Sequence, residues 1–265
     1  MSGQTGICGA RHAVDGRVVP ANYGKVTAVC LDPIEKKPLA HYLPGSMVLS
    51  IGSYGCNLNC PFCQNNTIAQ ARFDHLDVPV ESLSPQKLVE MACEQRAHGN
   101  IGLAYTYNEP LVGLEFVLDC SKLIREANMK NVLVSNGYIN AEPFAELLPW
   151  LDAANIDLKA FNQDFYDWVG APNGLKTVKR TIAAAATSIH VEVTMLVIPG
   201  KNDFPDQLDD MSRWLADVDP DITLHLTRFF PTHRMRDASP TPLRTLHELA
   251  AVARQHLRYV EIGNI

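Results

Sequence analysis

From about residue 47 onward the apolar positions alternate between two spacings. Short apolar, β-branched runs read as strands, and longer stretches with apolar residues three and four apart read as helices. Residues 47–51 form the first such strand. A helix follows from Ser84-Pro85, a capping residue with proline at the first helical position. Leu88, Met91 and Ala92 lie on one face and Gly99 closes it. Strands are then expected at 101–105, 132–134, 153–156, 190–198, 222–226 and 258–262. Between them the pattern predicts helices at 111–127, 141–148, up to about 186, 204–215 and 243–256. Strand–helix alternation repeated about six times demands parallel strands with right-handed crossovers, as an open doubly wound sheet or a barrel-like arc. In either case loops after the strands converge at one functional face. Residues 1–45, rich in glycine, proline and short polar stretches, read as a small N-terminal appendage. Residues 46–265 read as one core domain.

Length and composition leave that picture unchanged. At 265 residues, 46% apolar and 20% charged, the chain can bury a sizeable core. Its formal net charge of −6 argues against nucleic acid as the partner. No apolar run reaches membrane-spanning length and no signal pattern opens the chain; with reduced thiols a cytoplasmic location is expected.

The chemistry enters with residues 55–65, GCNLNCPFCQN, directly after the first strand. Cys56, Cys60 and Cys63 have C-x3-C-x2-C spacing. Three thiolates can hold three irons of a [4Fe–4S] cluster and leave the fourth open to a substrate or cofactor. The oxygen lability of an exposed cluster of this kind points to an anaerobic setting. A zinc-stabilised binding scaffold without catalysis is the rival from another class. It needs a fourth ligand, and the nearest histidine downstream is His75. Seven cysteines, an odd count and few for this length, make a disulfide framework a poor fit. Cys30, Cys93 and Cys120 are isolated and read as packing residues.

Polar groups also follow the later strands. Thr106-Tyr107-Asn108-Glu109-Pro110 ends the second. Glu109 can accept from a ligand ammonium or complement the start of a helix. Ser135-Asn136-Gly137 is a polar turn. In Asn155-Ile156-Asp157-Leu158-Lys159, Lys159 can bind a ligand carboxylate with Asp157 orienting it or holding a cation; the alternative is a structural ion pair. His225 and His233 fall near the expected functional face, and for His233 simple exposure is the plainer reading. Phe229 and Phe230 read as core. Residues 32–44, DPIEKKPLAHYLP, are dense in charge and proline and read as a surface turn or a lid. Glu109 and Lys159 together supply what the amino-acid end of S-adenosylmethionine (SAM) requires.

These residues together resemble the radical SAM superfamily. The chain is similar to the branch containing pyruvate formate-lyase activating enzyme, and more closely resembles the radical SAM component of the AmmeMemoRadiSam system. The stretches carrying that likeness are DPIEKKPL, LPGS, GCNLNCPFCQN, AYTYNEP, SNGYI, LDAANIDLKAF, HVEVTMLVIPGKND and LRYVEIGN. The resemblance implies a partial (β/α)6 barrel, a [4Fe–4S] cluster on Cys56, Cys60 and Cys63, and SAM held by Glu109, Ser135, Asp157 and Lys159; Asn108 and Asn136 beside them in sequence, and His233 near the expected face, are further candidates for SAM. It implies reductive SAM cleavage to a 5′-deoxyadenosyl radical that abstracts hydrogen from a substrate. The substrate is a glycyl-radical enzyme, or alternatively a small molecule or another macromolecule. It also implies a flavodoxin- or ferredoxin-like electron donor and a monovalent cation near Ser135. Two features depart from the pattern. Val134 replaces the aspartate that precedes that hydroxyl in the activases. Only Cys8 remains of an N-terminal cysteine group, and no C-terminal Cys-x2-Cys segment is present.

Overall fold

The computed structural model describes residues 3–265, which divide into two compact units. The first takes in the chain up to Asn59, Asn65–Ser135 and Glu142–Ala154. It opens with the antiparallel hairpin of β1 (Arg11–Val14) and β2 (Arg17–Pro20). The hairpin turns at Asp15 and Gly16, both with positive φ, as a two-residue loop requires. β3 (Lys25–Val26), β4 (Ala28–Pro33) and β5 (Met47–Gly52) follow. After a short helix α1 (Asn66–Ala69), β6 (Glu81–Ser82) pairs with β3. Then come α2 (Pro85–Glu94), β7 (Asn100–Tyr105), α3 (Leu114–Glu126), β8 (Lys130–Ser135) and α4 (Ala141–Leu147), whose first residue falls outside this unit.

β8, β7, β5 and β4 lie side by side in that order, the first three parallel and β4 antiparallel at the edge. Ser84 accepts the amide of Lys87 at 3.1 Å and starts α2 where the sequence puts its cap. α2 and α3 pack on each other and on β7. The helix expected over 111–127 begins later. Pro110–Gly113 is a 3₁₀ turn, and α3 starts at Leu114. At Gly113 an added Cβ would meet the Asn22 amide at 3.0 Å, so the side chain of Asn22 occupies the space beside this turn.

Residues 32–44 are a surface turn only in part: Glu35, Lys36, His41, Leu43 and Pro44 are exposed in turns and bends, whereas Asp32, Ile34, Lys37 and Leu39 are buried. Ala28–Pro33 is the edge strand β4, and Ile34 and Leu39 are fully buried with Val48, Ala104, Val132 and Ala153 in one apolar cluster. Two charges of this stretch, Asp32 and Lys37, neutralise each other in the interior, while Glu35 and Lys36 stay exposed. The Lys37 ammonium donates to the Asp32 carboxylate at 2.7 Å. Cys30 is also corrected: it stands exposed on the edge strand rather than packed. Cys120, on α3, is fully buried as expected.

The second unit takes in Cys60–Gln64, Asn136–Ala141 and Asn155–Ile265. It holds most of β9 (Ala153–Asp157), then α5 (Gln163–Trp168), α6 (Gly174–Ala186), β10 (His190–Val197), α7 (Pro205–Val218), β11 (Thr223–Arg228), α8 (Leu243–Ala253) and β12 (Val260–Gly263). β9, β10, β11 and β12 are neighbours in that order, and β10 to β12 are parallel. α6 packs on β10, α8 on β11 and β12, and α7 on α8. The single helical region expected up to 186 is two helices. Gly170 and Asn173, both with positive φ, and Pro172 break it.

His225 does not reach the functional face. It stands in mid-strand on β11, buried, with Nε2 2.5 Å from Oε2 of Glu192. Glu192 is fully buried and also meets His190 Nε2 at 2.9 Å. Phe229 is core, whereas Phe230 is exposed under the Arg228 guanidinium. The fold class is α/β built on parallel strands. Among the described residues no helix is long and apolar enough to cross a membrane.

Candidate functional site

The cysteine loop leaves the end of β5. In the first unit, Cys56 donates its amide to the carbonyl of Cys8 at 3.1 Å, and its sulfur accepts the amide of Leu58 at 3.4 Å. Gly55, with φ +91, lies so close that an added Cβ would stand 2.6 Å from both the Cys8 carbonyl oxygen and the Ala10 side chain. The N-terminal stretch therefore braces the entry to the loop.

The same unit holds Asn108, Glu109 and Ser135. Asn108 spends its amide on the backbone, accepting from Ser53 N–H at 2.9 Å and donating to Gly55 at 3.0 Å. It fastens the turn after β7 to the start of the cysteine loop. Glu109 is 3% exposed. Its Oε1 accepts from the Leu111 amide at 3.0 Å and from the Ser135 hydroxyl at 2.8 Å. The helix-start role is thus present, and the carboxylate is also oriented by a second strand end.

The second unit holds Cys60, Cys63, Asn136, Asp157, Lys159 and His233. Cys60 is buried, and Cys63 donates its amide to the Cys60 carbonyl at 3.3 Å. Burial pushes the Cys60 thiol up to about 11, while the nearby Lys159 ammonium pulls it down. Lys159 Nζ donates to Asp157 at 2.8 Å. Burial disfavours its charge, but the attraction of Asp157, then Cys60, outweighs burial and raises its pKa. The Lys159 backbone is fixed on both sides: its N–H donates to the Tyr166 hydroxyl at 3.2 Å, and its carbonyl accepts from Asn202 at 2.7 Å. Asn136 accepts the Tyr138 amide at 2.9 Å in a tight turn.

His233 is half-buried rather than exposed, with φ +48, and its Nε2 is enclosed with no protein partner. Desolvation lowers its pKa, aided by Arg234 and Arg236. The next amide, of Arg234, donates to the Pro61 carbonyl at 3.0 Å. That bond ties the His233 turn to the cysteine loop between Cys60 and Cys63. An orphaned ring nitrogen beside the loop is what a ligand with a hydrogen-bonding group would satisfy.

Sequence reading missed several supports. Phe62 packs against Phe165 and Trp168 with tilted rings, 5.9 and 5.7 Å between centroids, and Lys201 lies over Trp168 at 5.0 Å. Asn202, 1% exposed, bonds Lys159, Leu196 and Ile198 at once. The aromatic before the last cysteine was a signal for the first; nothing distinguished Asn202 from an ordinary turn asparagine.

The donor set suits an iron–sulfur cluster: three thiols within eight positions, with a cation acting on the buried one. The sequence model of the radical SAM superfamily matches residues 50–215, more than half the chain. An uncharacterised protein of Methanocaldococcus jannaschii is 39% identical over 265 residues, covering 99% of this chain and 77% of that protein. A radical SAM methyltransferase from Sphaerobacter thermophilus is similar in structure, with a TM-score of 0.63 and 15% identity over 84% of this chain and 67% of that one. A domain of a pyruvate-formate lyase-activating enzyme from Bacteroides vulgatus gives a TM-score of 0.53 and 17% identity over 62% of this chain and 99% of that one. At these identities the two structures speak for the fold alone. The chain belongs to the radical SAM superfamily, and is an enzyme whose cofactors are a [4Fe–4S] cluster and S-adenosylmethionine.

Proposed function

We propose that Cys56, Cys60 and Cys63 hold three irons of the cluster and that Glu109, Ser135, Asn136, Asp157, Lys159 and His233 hold SAM. When bound, cluster and SAM supply one-electron cleavage of the sulfonium to methionine and a 5′-deoxyadenosyl radical able to take hydrogen from a substrate. The protein's own residues bind and orient. Glu109, pre-aimed by Ser135 and the Leu111 amide, accepts from the SAM ammonium. Lys159, held by Asp157, Tyr166 and Asn202, offers its charge to the SAM carboxylate. His233 offers its enclosed Nε2 to the nucleoside end. Asn108 contributes through the turn it fastens. The observation that carries the reading is the cysteine loop bonded at Pro61 to the His233 turn and acted on at Cys60 by Lys159.

Within the superfamily we place the chain nearest the AmmeMemoRadiSam component, on stretches such as DPIEKKPL and NIDLK. We assign its substrate as a glycyl-radical enzyme, with hydrogen taken from a glycine Cα and electrons from a flavodoxin- or ferredoxin-like donor. The likeness to a pyruvate-formate lyase-activating enzyme domain supports a compatible fold. The test is electron paramagnetic resonance of the anaerobically reconstituted, reduced protein. SAM should shift the cluster signal, and each of Cys56→Ala, Cys60→Ala and Cys63→Ala should abolish the cluster. A signal indifferent to SAM refutes the open iron. A glycine-centred doublet on a co-incubated glycyl-radical enzyme supports the substrate. Its absence, with SAM cleaved, moves the substrate to a small molecule or another macromolecule.

A further inference from the structure

β7 ends at Tyr105, and the chain must turn at once to bring Glu109 to the head of the Pro110–Gly113 turn. It does so at Tyr107, whose φ is +71. The Asn108 amide donates to the Thr106 carbonyl at 3.0 Å across it. A bond back over two residues around a positive-φ centre is the strained form of the γ-turn, and a bulky aromatic residue rarely adopts it. Such a shape persists where the surroundings over-determine it.

Here they do so on every side of Tyr107. Its hydroxyl donates to Asp32 Oδ2 at 2.6 Å. The same oxygen accepts from Lys37 Nζ at 2.7 Å, and that ammonium lies 5.0 Å from the Tyr107 ring centroid. The ring rests on Gly52, where an added Cβ would stand 2.8 Å from Tyr107 Cδ2. Asn65, two residues past Cys63, donates to the Tyr107 carbonyl at 2.7 Å. Asp32 and Lys37 are 7% and 3% exposed. A buried ion pair is a poor device for stability alone, because apolar residues of similar volume serve as well. What it supplies that they cannot is a fixed, directional acceptor for the tyrosine hydroxyl.

We propose that Lys37, Asp32 and Tyr107 form a positioning relay that holds the turn carrying Asn108 and Glu109 in its SAM-receiving shape, an inference that rests on the assignment of Glu109 to the SAM ammonium. Lys37 orients Asp32, Asp32 anchors the Tyr107 hydroxyl, and the anchored ring holds a backbone conformation that would otherwise relax. None of the three is itself assigned to hold SAM or the cluster; they act through the turn.

The test compares Tyr107→Phe, Tyr107→Ala and Tyr107→Gly in the reconstituted holoenzyme. The readouts are equilibrium SAM binding and hydrogen–deuterium exchange of residues 104–112. Phenylalanine removes one hydrogen bond and should weaken SAM binding about 3- to 10-fold. Alanine removes the anchor but keeps the Cβ penalty at positive φ, and should weaken it about 10- to 100-fold. Glycine tolerates that φ and should fall between the two. Exchange should quicken in the same order, while turnover at saturating SAM stays within about twofold of the parent. Equal affinity and exchange in Ala and parent, or equal losses in Ala and Gly, would overturn the relay. Glu109→Gln is made in parallel. If it leaves SAM affinity unchanged, the assignment of Glu109 fails, and the exchange order still reads the relay itself.

Discussion

Replacing Lys37 by methionine keeps the stem and removes the charge. Asp32 is then left buried with the Tyr107 hydroxyl, Ser50, the Cys30 thiol at 3.6 Å and one largely exposed cation, Lys36, whose ammonium lies 3.7 Å from the other carboxylate oxygen. Breaking a buried pair from one side costs about 3–5 kcal/mol, and Lys36 favours the low end. For a chain of this size each kcal/mol shifts Tm by about 2–4 °C, so a fall of about 6–12 °C follows. The pH dependence is more diagnostic. Burial opposes the Asp32 charge, but the bonds from Lys37 and Tyr107 win and lower its pKa from 3.8 to about 2. A carboxylate depressed on folding stabilises above its unfolded pKa, and loses that contribution as pH falls through its folded pKa. Just under two units correspond to about 2 kcal/mol, present above about pH 4 and lost towards pH 2. In the variant Asp32 protonates earlier and the burial penalty disappears. The gap between parent and Lys37→Met in urea unfolding should therefore be widest near pH 7 and narrow by about 2 kcal/mol as pH falls below about 4. Asp32→Asn with Lys37→Met should recover more than about 1 kcal/mol, since asparagine still accepts from Tyr107. A gap below about 1 kcal/mol, or one independent of pH, would refute the reasoning.

Gly102→Ala should fail to fold or lose more than about 4 kcal/mol, because its Cβ would lie 1.8 Å from the Lys130 carbonyl oxygen; soluble yield and thermal melting decide it. Glu109→Gln should raise the SAM dissociation constant about 10-fold, the worth of a charge-assisted hydrogen bond, as read by equilibrium binding. His225→Phe leaves Glu192 with His190 and should cost about 1–3 kcal/mol in chemical denaturation while SAM affinity is unchanged.

The strand–helix alternation after residue 47 was legible because each β-branched run and each capped helix satisfies its own local rule, as at Ser84-Pro85. The cysteine loop was legible because the three residue types sit close in sequence. Residues 32–44 were not. Charge and proline read as surface, and only the fold reveals that Lys37 neutralises Asp32 in the interior while Ile34 and Leu39 fill the core. His225 failed for a related reason. Its partner Glu192 is thirty-three residues away and meets it only through strand pairing. Tyr107 gave no sign of positive φ, since the residue type argues against it and the anchor comes from elsewhere in the chain. The break in the region up to 186 is written in Gly170, Pro172 and Asn173, but the apolar spacing continues in helical period on either side and masks it.

The most direct test is to quantify 5′-deoxyadenosine by chromatography after anaerobic reconstitution and dithionite reduction in the presence of SAM, with Cys60→Ala as control. Reductive SAM cleavage predicts nucleoside and methionine in equal amounts from the parent and neither from the variant. An intact cluster that binds SAM yet yields no nucleoside at long times, with or without a glycyl-radical enzyme present, would contradict it.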